Sequence, residues 1–263
     1  MEQPFEGWPE GIGLVEHAEI DSTNEEARRL ALQGHRGPLW VRADRQTAGR
    51  GRRGRAWLSD PGNLFATLLE APCSPLPRAA EVSFVAGLAV HDAACAVAPN
   101  LAHSLTLKWP NDLLLEGGKL AGILIETAPG PAGHRDTDPL LAIGIGVNLA
   151  SHPDGVPYPA TSFAASGTKL EPGAFLVRLA ASMQARMTGW KKHGFASVRE
   201  DWLARAHGLG EPMIVRLPDG ELAGEFVSLD VDGALALRTD ADGALRKITA
   251  GDVFFPAHAP SSR

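Results

Sequence analysis

Between Arg45 and Trp57 the chain reads R-Q-T-A-G-R-G-R-R-G-R-A-W, with Arg45, Arg50, Arg52, Arg53 and Arg55 threaded among Gly49, Gly51 and Gly54. With high charge and little to bury, the segment cannot pack as a helix or strand by itself. It can fold over an anion, because glycine lets the backbone come close and each arginine presents a planar fork of donors suited to carboxylate and phosphate. Farther along stand Lys108-Trp109-Pro110-Asn111-Asp112, a polar turn between apolar flanks, then Lys119 at the entrance of an apolar run, and Gly144 and Gly146 in G-I-G-V-N-L. Glycines at alternate strand positions clear one face, either for tight packing or for a flat ring lying on the backbone. Taken singly these signals are weak, since Arg-Gly runs also bind nucleic acid. Together they supply cations, a carboxylate able to hold magnesium and an open backbone face. Activation of a carboxylic acid by a nucleoside triphosphate needs that set, because two anions must be neutralised and held in line before they react.

The elements that must position these residues follow from pattern. Ser22 with Glu25 three residues later has the form of a capping box opening a helix over residues 27–32, which Gly34 and Gly37 end. Residues 39–41 and 63–69 read as strands that hold the Arg-Gly loop by both ends. A proline-rich connection at 72–77 leads to an alanine-rich helix over 80–97. Short strands follow at 105–109 and 113–115, and a buried one at 119–126. A Pro/Gly/Asp-rich loop at 128–138 leads to the apolar run 140–149. Helical periodicity over 175–190 and 195–206 predicts a cover for the sheet. After the Gly208–Pro212 linker, five short runs separated by Pro-Asp-Gly and Asp-Gly turns predict a small β-barrel.

Composition bounds the class. The 263 residues are 44% apolar and 21% charged, as in ordinary globular proteins, and the net charge of −6 makes the loop a basic island in an acidic chain. That contrast favours a local anion site over a general nucleic-acid surface. Cys73 and Cys95 lack C-x-x-C spacing, the nine histidines form no zinc pattern, and the acidic N-terminus is unlike a signal peptide. No uninterrupted apolar run approaches membrane-spanning length, so a cytoplasmic protein without membrane partners is expected.

The segments S-T-N (22–24), Q-T-A-G-R-G-R-R-G-R-A-W (46–57), K-W-P-N-D (108–112), K-L-A-G-I-L-I-E (119–126) and G-I-G-V-N (144–148) occur in an order and spacing that resembles biotin protein ligases. The resemblance is dense from Ser22 to Asn148 and loose beyond. It implies an α+β fold: a mixed β-sheet covered by helices as catalytic domain over 1–208, followed by a small SH3-like β-barrel over 209–263. It also implies the chemistry. Biotin and ATP, with Mg2+ expected, give biotinyl-5′-adenylate and pyrophosphate, and a lysine of a carboxylase's biotin carboxyl carrier protein then takes the biotinyl group.

By this resemblance the catalytic candidates are Lys119, Arg50, Arg52 and Asp112, with Asp112 a partner of metal or lysine. Biotin would meet Ser22, Thr23, Asn24, Gln46, Gly49, Arg50 and Lys119. The ureido head needs donors and acceptors, and Gly122 and Gly144 leave room for the rings. The adenylate would meet Arg52, Arg53, Trp57, Asn111 and Asn148, with Trp57 stacking near the adenine, anchoring the end of the loop, or both. The loop itself would be mobile when empty and ordered over a mixed anhydride that water would otherwise destroy.

Two departures qualify the resemblance. Some family members carry an N-terminal DNA-binding winged helix, whereas 21 residues precede Ser22 here, so a ligase without specific DNA binding is expected. Members often place an arginine near the end of the barrel to reach the ATP phosphates; Val253-Phe254-Phe255-Pro256 has none, leaving Arg246 or Lys247 as substitutes. Two other readings stay open: a lipoate or octanoate ligase or transferase of the same fold, and a nucleic-acid-binding module using the Arg-Gly loop. A transferase needs a nucleophile that neither cysteine's context supplies. Oligomeric state is not legible, a homodimer being the candidate assembly.

Overall fold

A computed structural model describes residues 5–71, 79–130 and 140–255. Seven strands form the main sheet: β1 (Gly13–Ile20), β2 (Leu39–Gln46), β3 (Leu64–Glu70), β4 (Leu105–Lys108), β5 (Asp112–Leu115), β6 (Gly118–Ala128) and β7 (Leu140–Val147), in the order β1-β2-β3-β7-β6-β5-β4. Only β1 and β2 run parallel, which makes the sheet mixed as expected. Helix α1 (Thr23–Leu32) makes the β1-to-β2 crossover, and α2 (Ala79–Val97) and α3 (Pro172–His193) cover the sheet, while α4 (Phe195–Leu203), expected to join that cover, packs chiefly on α2 and α3. A second, antiparallel sheet of β8 (Pro212–Leu217), β9 (Gly220–Leu229), β10 (Leu235–Thr239), β11 (Leu245–Ile248) and β12 (Asp252–Phe254) follows, in the order β11-β10-β9-β8-β12. The proline-rich 72–77 connection, Cys73, most of the 128–138 loop and Pro256 lie outside the described residues.

Alternation decides which side of the main sheet does chemistry. Side chains of a strand point to opposite faces in turn. Leu64, Ala66 and Leu68 of β3, Ala121 and Ile123 of β6, and Leu141, Ile143, Ile145 and Val147 of β7 enter the large core shared with α2, α3 and Trp40. Burying each such leucine or isoleucine contributes about 1.5–3 kcal/mol, so this face is committed to stability. The residues between them, Phe65 and Thr67, Gly122 and Leu124, Gly144 and Gly146, look the other way. Register lines them up in rows, Phe65–Gly146–Gly122 and Thr67–Gly144–Leu124. The central strand thus contributes glycine to both rows, and a shallow floor results.

Residues Ala80–Val97 of α2 are long and apolar enough to cross a membrane by length and composition. Here that apolarity is used against α3, α4 and strands β4–β6. Most of its residues are buried against these neighbours, so its hydrophobicity is not confined to one stripe.

One local expectation is corrected. Ser22 is the N-cap of α1 with extended backbone, yet its side chain makes no capping hydrogen bond. Glu25 turns outward to Arg50 and Arg28 instead of back to the Ser22 amide. The Ser22 amide that Glu25 would have met is satisfied instead by Asp21 Oδ1 at 2.7 Å, and the Thr23 amide by Gln46 Oε1 of β2 at 2.8 Å, which leaves the Glu25 carboxylate to the guanidiniums.

Candidate active site

The floor of glycines, the start of α1, the Arg-Gly loop, the β4–β5 turn and β12 enclose an open cleft of about 1150 Å³, its mouth included. Ser22, Thr23, Asn24, Gln46, Arg50, Arg52, Trp57, Asn111, Asp112, Lys119, Gly122 and Gly144 all line it. Three expected residues do not: Gly49 lies behind the loop, Arg53 faces the second sheet, and Asn148 borders a smaller neighbouring cavity.

At one end the groups are neutral and mutually bonded. Gln46 Oε1 accepts from Thr23 N and Thr23 Oγ1, and Gln46 Nε2 donates to Ser59 Oγ, which donates in turn to the Trp57 carbonyl. Thr67 Oγ1 lies 2.7 Å from Asn24 Oδ1 and 2.8 Å from Thr23 Oγ1, and Asn24 Nδ2 donates to Glu126 Oε2 at 2.8 Å. The side-chain amide of Asn24 is therefore engaged at both ends by the chain itself. A Cβ on Gly49 would meet Ser59 Oγ and the Trp57 carbonyl, each at 2.7 Å, so glycine there lets the network reach the loop.

The other end is cationic. Lys119 Nζ sits 2.7 Å from Asp112 Oδ1, each side chain less than one-fifth exposed. Arg52 Nη1 donates to Asn111 Oδ1 at 3.1 Å, and Asn111 Nδ2 anchors to the Ile123 carbonyl. Among the described residues neither Arg52 nor Lys108 has an ion-pair partner, and burial lowers the pKa of both. Buried charges are normally paired, so two cations left bare on one cleft wall constitute an anion site.

The remaining loop arginines are neutralised by the chain's own carboxylates. Burial works against charge on Arg50, but Glu25 and Glu126 outweigh it and its pKa rises. Arg53, in a left-handed conformation at φ 56°, reaches Asp252 at 3.4 Å, and Arg55 reaches the same carboxylate at 2.9 Å. Arg45 pairs with Glu19 away from the cleft. The run of five arginines thus resolves into Arg52, which has no ion-pair partner among the described residues, three that fasten the loop, and Arg45, which ties β2 to β1.

In this structure the glycine floor is covered from within the chain: a Cβ on Gly146 would lie 2.5–2.7 Å from the Trp57 indole, and one on Gly122 would lie 2.9 Å from it. Gly144 gives its space to Asn24, whose Oδ1 would stand 2.3 Å from an added Cβ. Trp57 therefore anchors the loop, with its buried indole N–H lacking any acceptor. Asn148 holds backbone, donating to the carbonyls of Lys119 and Thr161. Arg246 pairs with Asp242, and Lys247 with Asp230 and Asp232; neither lines the cleft, whose C-terminal wall is Asp252, Val253 and Phe254.

The sequence reading missed Thr67, Glu126, Ser59, Tyr158 and Asp252. Glu126 was findable, since it follows Gly122 and Leu124 at a period of two on one strand face. Tyr158 and Asp252 carry no local signal, because only the fold brings them to the loop and to Lys119.

A profile of the biotin/lipoate A/B protein ligase family matches residues 17–148, and one of the biotin protein ligase C-terminal domain matches 208–255. The biotin–[acetyl-CoA-carboxylase] ligase of Paracoccus denitrificans is 44% identical over 247 residues, spanning 90% of this chain and 98% of that protein. The chain belongs to the biotin/lipoate A/B protein ligase family. A similar ligase of Mycobacterium tuberculosis is 33% identical across 86% of its length. The bifunctional ligase/repressor of Bacillus subtilis is 31% identical across 74% of its length. Among solved structures, the biotin protein ligase from Aquifex aeolicus in complex with biotin and ATP superposes with a TM-score of 0.75 at 26% identity, over 92% of this chain and 97% of that one.

For this family member the clasp between the second sheet and the loop has a measurable consequence. In Asp252→Asn, tryptic cleavage at Arg50–Arg55 of the free protein is expected to speed up about two- to fivefold, the scale of exposed ion pairs. Unchanged cleavage would show that Asp252 does not fasten the loop.

Proposed function

We infer that this chain is a biotin protein ligase that activates biotin with ATP and transfers it to a lysine of the biotin carboxyl carrier protein of a carboxylase. The observation that carries the reading is the polarity of one cleft: a neutral hydrogen-bonding end at Ser22, Thr23 and Gln46 faces a cationic end at Lys119, Arg52 and Lys108. A ureido head fits the first and a carboxylate beside a triphosphate fits the second. The names of the relatives, and the biotin and ATP bound by the Aquifex protein, support the same reading.

In the first step a biotin carboxylate oxygen attacks the α-phosphorus, the bond to the β-phosphate oxygen breaks and pyrophosphate leaves. Lys119 and Arg52 lower the repulsion between the two anions and hold them in line. In the second, the carrier's amine attacks the acyl carbon, AMP departs with the bonding pair, and the amine nitrogen gives up a proton. Arg50 and Trp57 belong to a lid that keeps water from the anhydride between the steps. Residues 1–208 carry the chemistry and 209–263 supply a wall and the Asp252 clasp.

No three His, Cys, Asp or Glu residues among those described are grouped to hold a metal. Asp112 is already paired with Lys119. With no such group among the described residues, the proposed reaction takes magnesium with the nucleotide substrate.

Exchange of labelled pyrophosphate into ATP tests this function. Exchange is expected with biotin and not with lipoate or octanoate. Exchange with lipoate alone would transfer the chain to the other branch of its family, and exchange with neither would remove the ligase reading.

A further inference from the structure

Lys119 carries the central charge of the proposed reaction on a side chain with four rotatable bonds, and a single carboxylate does not fix such a side chain. Besides Asp112, two aromatic rings face its ammonium: the centroids of Trp57 and Tyr158 each lie 5.5 Å from Nζ. The electron-rich faces of both rings attract the cation, so it is held between them and the carboxylate. The rings reach it on different carriers. Trp57 belongs to the Arg-Gly loop. Tyr158 belongs to a strap, residues 158–161, paired to the main chain of Lys119 itself: Lys119 N–H donates to the Pro159 carbonyl at 2.8 Å and Thr161 N–H to the Lys119 carbonyl at 3.1 Å. Asn148, 4% exposed, bonds both the Lys119 and Thr161 carbonyls and locks strap to strand.

We propose that Tyr158 is a positioning residue that keeps the Lys119 ammonium aimed into the cleft when the Arg-Gly loop is open. Opening the loop carries Trp57 away, while Tyr158 stays, because its neighbours Pro159 and Thr161 are bonded to the main chain of the residue it positions. Substrate then enters past a lysine already in place. The ring, not the hydroxyl, is the working part. This inference rests on the reading of Lys119 as the group that neutralises carboxylate and phosphate.

Two measurements on Tyr158→Leu and Tyr158→Phe decide it. In biotin-dependent pyrophosphate exchange, Tyr158→Leu is expected to lower kcat about tenfold with KM for biotin and ATP nearly unchanged, and Tyr158→Phe to stay within about twofold of the parent. In the ligand-free protein, acetylation of Lys119 by an amine-reactive ester, followed by mass spectrometry, is expected to accelerate in Tyr158→Leu and not in Tyr158→Phe, with Lys192 as an unaffected control. If Tyr158→Leu does not fold, Tyr158→Met keeps apolar volume without a ring and carries the same expectations. Parental kcat or parental labelling in the ringless variant overturns the proposal, as does a Tyr158→Phe defect equal to that of Tyr158→Leu. The labelling needs no substrate, so failure of the biotin reading, seen as absent exchange in the parent, is distinct from failure of the clamp.

Discussion

Lys119→Ala is expected to slow adenylate formation about 10²- to 10³-fold, the loss typical when a preorganised group opposite developing charge is removed. The reasoning begins with position. Lys119 opens β6, its main chain is pinned by the strap at Pro159 and Thr161, and its ammonium is shared by Asp112, Trp57 and Tyr158. A carboxylate and a triphosphate brought into one cleft repel strongly, and water that would screen them is displaced as the loop folds over. Arg52 and Lys108 remain in the variant, which sets the upper bound on the loss. The substitution also leaves the Asp112 carboxylate without its lysine partner at the cationic end of the cleft, where the proposed reaction seats the nucleotide. Lys119→Ala/Asp112→Asn should therefore recover part of the ATP affinity lost by Lys119→Ala alone. Single-turnover formation of the adenylate is the measurement. A rate within about tenfold of the parent would remove Lys119 from the centre of the mechanism.

The second large effect is expected from Gly146→Val, through the lid and not through charge. The indole of Trp57 lies so close to Gly146 that even a Cβ would overlap it at 2.5 Å, and Phe65 and Gly122 flank the same row. A valine removes the seat, and the loop loses its one large apolar contact with the floor. The ion pairs that remain, Arg50 with Glu25 and Glu126, and Arg53 and Arg55 with Asp252, are partly exposed and individually weak. Losing the burial of a tryptophan costs up to about 3–5 kcal/mol at a fully packed site. A partly exposed ring loses less, so release or hydrolysis of bound adenylate should quicken about 10- to 100-fold. Trp57→Ala supplies the control: in that background Gly146→Val should add little, because the group it displaces is gone. Additive effects of the two substitutions would mean that Gly146 serves the ligand directly.

What the sequence determined by itself was the inventory and its local frame. The glycines of the Arg-Gly segment forbade a packed element there, the alternation in G-I-G-V-N-L marked a strand with one cleared face, and the strand and helix patterns placed Lys119 at a strand entrance. These are properties of short stretches, set by backbone freedom and by side-chain period, and they survive without knowledge of neighbours. Only the tertiary structure decided how the inventory is spent. Five arginines look alike in sequence, yet Arg50 is tied to Glu25 and Glu126, Arg53 and Arg55 to Asp252, and Arg45 to Glu19, leaving Arg52 bare. Trp57 and Asn24 lie over the glycine clearings in this structure, and Ser22 caps by backbone while its predicted partner Glu25 pairs elsewhere. The reason is range: a propensity acts over a few residues, whereas Asp252 meets Arg53 across 199 positions. Which charges are cancelled, and which are left for a substrate, is fixed by partners that distant chain segments bring.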